Sequence, residues 1–250
     1  MNDVKKPPRR QLRGTVLVAC IGLAAALAAL AILLAHEPSF YRRGMGPAAA
    51  TAEGEARARR MVTKASTLYA AVAQPASLVA GGQPGSWEAA IRDDELNAWL
   101  AIDLPRSHPS WLPRGVTAPR VAFRERHASA AARVGYGPLS AVASVDLEIA
   151  LRDVNQLGIV VEQAKLGAIP LPSAPIARGL ARRLHGLGIM TELRQRDGRL
   201  GIVVHFPRTS AAGAAAPRVE TLSLIEGELL MAGTLQAAGP ARPGGPDPPR

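Results

Sequence analysis

The feature that most constrains this chain is the stretch 14–35, which carries no charged residue and is rich in Leu, Ile, Val and Ala. As an α-helix with a rise of about 1.5 Å per residue, it is long enough to cross the ~30 Å hydrocarbon core of a bilayer. We therefore predict a single transmembrane helix at residues 14–35. We expect it to act as an uncleaved signal anchor, and membrane lipid is its expected partner.

Basic residues on either side of this stretch predict its orientation. Five Lys and Arg residues precede it, whereas only Arg42 and Arg43 follow it within about 15 residues. Because cytoplasmic flanks carry the excess of Lys and Arg, we expect the segment 1–13 in the cytoplasm and the rest of the chain outside it. The five preceding residues are Lys5, Lys6, Arg9, Arg10 and Arg13.

Two other interpretations of the stretch are weaker. A cleaved signal peptide usually ends in small residues of the Ala-x-Ala type, and Leu33 is too large for that site. Residues 17–20 (LVAC) look like the lipobox of a lipoprotein, but Cys20 lies too close to Arg13 to leave room for the apolar region that must come first. Cys20 is the only cysteine, so no disulfide and no Cys-based zinc site can form within the chain.

The formal net charge of +10 raises the question of nucleic-acid binding. A nucleic-acid site needs basic residues gathered on one folded face, ideally with aromatic residues that stack on bases. Here the basic residues are scattered, and aromatic residues make up only 4% of the chain. We predict no nucleic-acid partner and attribute the excess to contact with anionic lipid headgroups.

Composition divides the chain beyond the predicted anchor into three parts. Residues 36–52 contain Pro and Gly without periodicity, and we predict a linker that lets the domain stand off the bilayer. Residues 53–236 are predicted to form one extracytoplasmic domain. Residues 237–250 are rich in Pro and Gly, and we expect this tail to be disordered.

Helical periodicity appears in three places within the domain. Apolar residues recur at helical spacing in 53–73 and in 173–187. A third helix is expected to begin at Arg92 or Asp93 and to end before Pro105, since the residue preceding a proline disfavours the helical conformation.

A period of two, typical of half-buried strands, begins at Val116 and is clearest at 145–151. The Asp197-Gly198 pair is the clearest hairpin turn. We predict an α+β fold: a mainly antiparallel sheet of about six to eight strands, covered on its apolar face by two or three helices. The other extended stretches are 120–126, 128–136, 157–166, 190–196, 200–206 and 219–235.

Two short motifs carry a resemblance to a known family. Residues 95–100 (ELNAWL) lie in the third predicted helix, and residues 167–172 (GAIPLP) form a turn before the next one. With these motifs, residues 85–235 are similar in layout to the YpmS-type family of bacterial envelope proteins, which share an ELN helix and a G-x-x-P-L-P turn. The resemblance implies an extracytoplasmic, sheet-rich fold, and it carries over no activity or catalytic residue.

Three residues are candidates for ligand binding: Asn97, Trp99 and Trp111. Asn97 occupies an otherwise apolar helical turn, so its amide must find hydrogen-bond partners if it is buried. Those partners are either neighbouring backbone groups, which we favour, or a ligand. Trp99 follows on the same helix, and Trp111 lies in the Pro-rich segment after it.

Catalytic and metal-binding motifs are weakly supported. Asp93, Asp94 and Glu95 are consecutive, so their side chains point in different directions and helix capping is the simpler role. The five histidines lack the spacing of metal ligands, and we predict neither a metal nor a cofactor. They are His36, His108, His127, His185 and His205.

These observations predict a non-enzymatic, membrane-anchored binding or interaction domain outside the cytoplasm. Its ligand is expected to be a lipid, an envelope polymer or another membrane protein. A structural subunit of an envelope complex is the alternative. An envelope hydrolase acting through Asp93, Glu95 or His127 is the least favoured.

Overall fold

The computed structural model describes residues 29–43, 51–73, 85–136, 139–196, 198–206 and 216–236, which form an α+β fold with two antiparallel sheets. Residues 29–35 are helical. The helices that follow are α1 (Ser39–Arg43), α2 (Ala52–Ala73), α3 (Asp93–Ser107) and α4 (Ser173–Gly186). The strands are β1 (Gly85–Arg92), β2 (Val116–Arg124), β3 (His127–Tyr136), β4 (Leu139–Asp153), β5 (Gln156–Leu166), β6 (Ile169–Leu171), β7 (Met190–Arg196), β8 (Arg199–His205), β9 (Ala216–Ile225) and β10 (Glu228–Gln236).

The main sheet has the strand order β2-β3-β4-β5-β8-β7, with β6 paired to β5. A small sheet has the order β1-β10-β9. The predicted α+β class with a mainly antiparallel sheet is confirmed, but the expected single sheet is wrong. The small sheet depends on the pairing of β1 with β10, and local periodicity carries no information about contacts so distant along the chain.

Local patterns predicted most elements within a few residues. The helix expected at 173–187 is α4, which is followed by Gly188 in the left-handed conformation with φ of 80°. The hairpin expected at Asp197-Gly198 is also present, since Arg196 pairs with Arg199 across β7 and β8.

The third helix runs past its predicted end. Pro105 lies inside α3, which continues to Ser107. Pro105 has no N–H to donate to the preceding turn, but the His108 N–H still donates to the Leu104 carbonyl at 2.9 Å. Leu104 and Ile102 are buried, so packing holds the last turn in a helical conformation against the local preference.

The apolar face of the main sheet is covered by two different elements. At β5 and β8 it packs against α4, whose Ala177 and Ala181 are buried and let the helix approach closely. At β2 and β3 it packs against the small sheet, where Phe123 and Leu224 meet. The core beneath α4 consists of Ile159, Val161, Ala164, Ala177, Ala181, Ile202 and Val204.

Asn155 joins the two sheets. It lies in the turn between β4 and β5 with φ of 62°, a conformation that Asn tolerates better than most residues. Its Oδ1 accepts a hydrogen bond from the Val219 N–H at 2.6 Å, and its own N–H donates to the Val219 carbonyl at 3.1 Å. Val219 belongs to β9, so this one residue attaches the edge of the small sheet to the main sheet.

The N-terminal segment 33–43 is packed on the main sheet, although we predicted a linker from residue 36. The Ala168 N–H donates to the Leu33 carbonyl at 2.7 Å. Tyr41 of α1 is fully buried against Ala131 and Val142. A Pro- and Gly-containing sequence was expected to be irregular, but the aromatic ring and these contacts give residues 36–43 a fixed place on the fold.

The predicted anchor lies mostly outside the described residues, as do the segment 1–13 and the tail 237–250. Only residues 29–35 of the anchor are described, and they are helical. Within the ranges given above, no helix is long and apolar enough to cross a membrane.

Replacing Gly167 tests whether the N-terminal segment contributes to stability. Gly167 has φ of 61°, and a Cβ there would lie 2.2 Å from the Leu33 carbonyl oxygen. Gly167→Ala should therefore lower the free energy of unfolding of the full chain by about 1–3 kcal/mol. Denaturant titration in a neutral detergent measures this.

Gly179→Ala is the matched control for that substitution. Gly179 lies inside α4 with no atom within 4 Å of the added methyl group. Alanine there should raise the free energy of unfolding by about 0.5–1 kcal/mol, because it favours the helix over glycine. Equal changes at the two positions would contradict a tight contact between Gly167 and the N-terminal segment.

Candidate functional site

Asn97, the first of the predicted binding residues, hydrogen-bonds to backbone through both atoms of its amide, and it also lines a cleft beside α3. Its Nδ2 donates to the Val121 carbonyl, and its Oδ1 accepts from the Val121 N–H, both at 2.7 Å. Val121 is on β2, the edge strand of the main sheet, whose outward groups would otherwise lack partners. The amide therefore attaches α3 to the sheet edge, which is the structural alternative that the sequence raised.

Trp99 and Trp111 come together on the opposite side of α3. Their ring centroids are 6.5 Å apart with an interplanar angle of 61°, and the His108 ring stacks on Trp111 at 4.4 Å. Trp111 is 48% exposed, and its carbonyl accepts a hydrogen bond from Arg183 of α4 at 3.0 Å. This aromatic cluster presents a rigid, partly exposed surface suited to apolar or π contacts.

Glu95 is buried and ionised between two cations of α2. Its carboxylate is 2.5 Å from Lys64 Nζ and 3.3 Å from Arg60 Nε. Burial by itself raises the pKa of Glu95, but the hydrogen bonds and charges of Lys64 and Arg60 together outweigh burial and lower it. Glu95 thus fastens α2 to α3.

The remaining hydrolase candidates lie on different elements. Burial raises the pKa of Asp93, and the charge of Asp94 raises it further. His127 starts β3, where its Nε2 is 3.1 Å from Glu162. Because Glu95 contacts α2 and His127 contacts β5, this arrangement does not add support for acid/base catalysis through the three residues.

Among the described residues, no group of three His, Cys, Asp or Glu side chains could hold a metal ion.

A site that the sequence analysis missed lies on the face of the main sheet opposite α4, here called the open face. A groove of about 660 Å³ crosses β5 and β8 there. Cross-strand pairs show that Gly158 stands beside Val203 and that Val160 stands beside Gly201, so these four residues form the groove floor. The glycines lower the floor, and the valines make it apolar.

A repeated pentapeptide builds this floor. Residues 157–161 and 200–204 both read LGIVV, and they pair antiparallel with Ile159 opposite Ile202. Each copy places its Leu, its Ile and its second Val on the core face and its Gly and first Val on the open face. A strand that is apolar on both faces normally lies between two covering layers. The repeat is visible in the sequence, and it is the signal from which this site could have been predicted.

Three arginines border the groove: Arg152, Arg194 and Arg199. Arg194 forms two 3.0 Å hydrogen bonds with the Glu192 carboxylate, and these bonds lower the pKa of Glu192. Arg199 lies 3.7 Å from Glu162. In the part of the chain that the structure describes, Arg152 forms no ion pair, and its side chain lies over Gly158. The border is therefore cationic, with one uncompensated charge.

Glu162 reaches the open face because of a bulge in β5. The pairing with β4 shifts between Asp146 and Leu147, which leaves Glu162 as the extra residue. A bulge changes the direction of a side chain, and here it places the carboxylate between His127 and Arg199. This contact links β3 to β8 across the two strands between them.

Comparison with protein-family models, with curated proteins and with solved structures gives no match for this chain. The resemblance to the YpmS-type family stays a prediction from two motifs. In the structure the ELN motif attaches α3 to α2 and β2, and the G-x-x-P-L-P turn receives the N-terminal segment.

Removing the charge of Glu95 should destabilise the protein in a pH-dependent manner. Because its pKa is lowered in the folded state, its carboxylate stabilises the fold above the unfolded pKa of about 4.3, and this stabilisation is lost as pH falls through the lower folded value. We expect Glu95→Gln to cost about 1–3 kcal/mol at neutral pH. The difference in the free energy of unfolding between Glu95→Gln and the parent chain should become smaller as the pH falls into the acid range.

Glu88→Gln is the control for this experiment, because Glu88 is exposed on β1. Its effect should be close to zero at every pH. Denaturant titrations at several pH values measure both variants. A constant difference between Glu95→Gln and the parent chain across the acid range would show that the ion pair does not stabilise the fold.

Proposed function

We propose that this protein is a membrane-anchored, extracytoplasmic binding domain whose ligand occupies the groove on the open face. The composition of the groove carries this proposal. Four small apolar residues form its floor, and three arginines border it. A ligand that suits both parts has an apolar body and an anionic group, as a lipid or an acylated envelope component has.

The size of the groove supports a small amphiphile. Its volume of about 660 Å³ lies within the roughly 300–1,000 Å³ that is usual for small-molecule sites. Guanidinium groups bind carboxylate and phosphate through paired hydrogen bonds, and among the described residues Arg152 forms no ion pair that would compete. The valines of the floor would contact the apolar part of the ligand.

The exposed side chains of residues 29–35 support membrane anchoring. Leu30, Ile32 and Leu33 are 44%, 72% and 45% exposed, and large apolar side chains gathered on one short helix are typical of a surface covered by lipid. The N-terminal segment and the groove share the open face: Tyr41 contacts Val142 on β4, and Glu148 of the same strand lines the groove. At about 3.3 Å per residue these positions are roughly 20 Å apart.

Filling the groove should weaken binding of the ligand without unfolding the protein. A Cβ at Gly201 meets its nearest atoms at 3.5 Å, an ordinary contact, so Gly201→Leu should fold and extend its side chain into the groove. We expect the full chain, purified from native membranes in a neutral detergent, to retain an anionic amphiphile. Mass spectrometry should find about tenfold less of it in the variant, equivalent to roughly 1.4 kcal/mol.

Two further variants sharpen the experiment. Arg152→Gln should weaken retention of the anionic amphiphile and leave uncharged detergent binding unchanged. Gly179→Leu introduces the same side chain on α4, in open space, and should retain as much as the parent chain. Equal retention by all four proteins, or no amphiphile in any of them, would exclude the groove as the ligand site.

A structural subunit of an envelope complex is the second candidate, favoured by the aromatic cluster of Trp99, His108 and Trp111. A half-exposed tryptophan held by two rings is typical of the residues that contribute most to protein interfaces. If this surface binds a subunit, photocrosslinking from position 111 in intact membranes should capture one defined partner, and Trp99→Ala should reduce the yield. A crosslink pattern without a defined partner would count against this role.

A further inference from the structure

We propose a second ligand site, a phosphate-binding cleft at the edge of β2 between α1 and α3. It is separate from the groove and does not depend on the proposed function. The cleft has a volume of about 360 Å³. Four arginines from three elements line it: Arg43 of α1, Arg57 of α2, and Arg120 and Arg124 of β2.

Two of these arginines are not compensated by acidic partners. Arg57 forms ion pairs with Glu53 and with Asp94, and the Nε of Arg43 donates to the Ser39 carbonyl. Within the described ranges, Arg120 and Arg124 form no ion pair. Guanidinium groups that line the same cleft without acidic partners repel each other unless an anion lies between them.

The Arg120 Nε identifies where the anion would lie. This nitrogen is buried and has no hydrogen-bond acceptor among the described residues. The neighbouring Tyr41 packs on Ala131, which stands opposite Arg120 in the β2–β3 pairing, and its hydroxyl is also buried without a partner among the described residues. From α1, however, it is Phe40 and Arg43 that line the cleft. A buried donor without an acceptor costs free energy, which an oxyanion would recover.

The acidic residues of the cleft do not cancel this charge. Asp94 is engaged by Arg57 and Arg92. Asp93 accepts hydrogen bonds from backbone N–H groups, and Glu226 is the remaining carboxylate of the lining. The cleft thus keeps a surplus of positive charge at neutral pH.

Phosphate is the anion that this arrangement fits best. Its oxygens point in four directions and can accept from several guanidinium groups at once, whereas a carboxylate presents two oxygens in one plane. The phosphate could belong to a lipid headgroup, since Phe40 and Arg43 of the lining follow soon after the predicted anchor, or it could be free in solution. A free phosphate offers all of its oxygens and a headgroup phosphodiester only its unesterified ones, but both accept hydrogen bonds from guanidinium groups.

Calorimetric titration of the full chain in a phosphate-free, neutral sugar detergent tests the proposal. Inorganic phosphate and a water-soluble short-chain phosphatidylglycerol are the two probes, at constant ionic strength with chloride as the reference anion. We expect saturable millimolar or tighter binding of at least one probe. Arg120→Gln and Arg124→Gln should each weaken it by about tenfold or more, the usual effect of losing a charge-assisted hydrogen bond.

The two probes distinguish the sources. Binding of inorganic phosphate alone would assign the cleft to a free anion, and tighter binding of the lipid would assign it to a headgroup. Arg124 is exposed, so Arg124→Gln should fold even if Arg120→Gln does not. Thermal melting followed by circular dichroism shows whether both variants are folded.

Control variants separate this site from the groove. Arg178→Gln, on α4, removes a charge elsewhere and should bind as the parent chain does. Arg152→Gln should also bind normally, because it alters only the groove. Absence of saturable binding for both probes would overturn the proposal, as would equal weakening by Arg178→Gln and Arg124→Gln.

Discussion

Two asparagines hold this fold together by hydrogen bonding to the edges of its sheets. An open antiparallel sheet leaves a row of unpaired N–H and C=O groups along each edge strand. Asn97 binds both groups of Val121 on β2, and Asn155 binds both groups of Val219 on β9. The first contact attaches the α2–α3 pair to the main sheet, and the second attaches the small sheet. Backbone hydrogen bonds from Arg126 to Leu224 and from Gly227 to Phe123 add to the second contact.

The small-residue composition determines which surfaces remain available. Ala177 and Ala181 let α4 lie close to β5 and β8, so one short helix suffices to cover that part of the core. On the opposite face the same strands carry Gly158 and Gly201, and long arginine side chains cover the floor only partly. A larger residue at either glycine would close the groove. The same preference for small side chains therefore produces a tight core on one face and a concave surface on the other.

Predictions from the sequence succeeded where local patterns determine structure. The strand expected at 190–196 is β7, and the helix expected at 173–187 is α4. The predictions failed where contacts between residues far apart in the chain determine the structure. The pairing of β1 with β10 and the packing of the N-terminal segment on Gly167 join positions far apart in the chain. For the candidate site, the LGIVV repeat can be recognised in the sequence. The groove floor that it forms depends on the strand register, which sets Ile159 opposite Ile202.

Helix α1 lies where the N-terminal segment, the open face and the proposed phosphate cleft meet. Its Tyr41 packs on the open face, its Arg43 lines the cleft, and the chain just before it is fixed to the Gly167 turn. An anion held by both Arg43 and Arg120 would add a contact between the N-terminal segment and β2. Thermodynamic linkage is reciprocal, so a constraint that holds the N-terminal segment on the sheet also tightens binding of the anion. If the predicted membrane anchor fixes residues 33–43, it would favour the binding-competent cleft, and a ligand in the cleft would in turn hold the domain in one orientation at the bilayer.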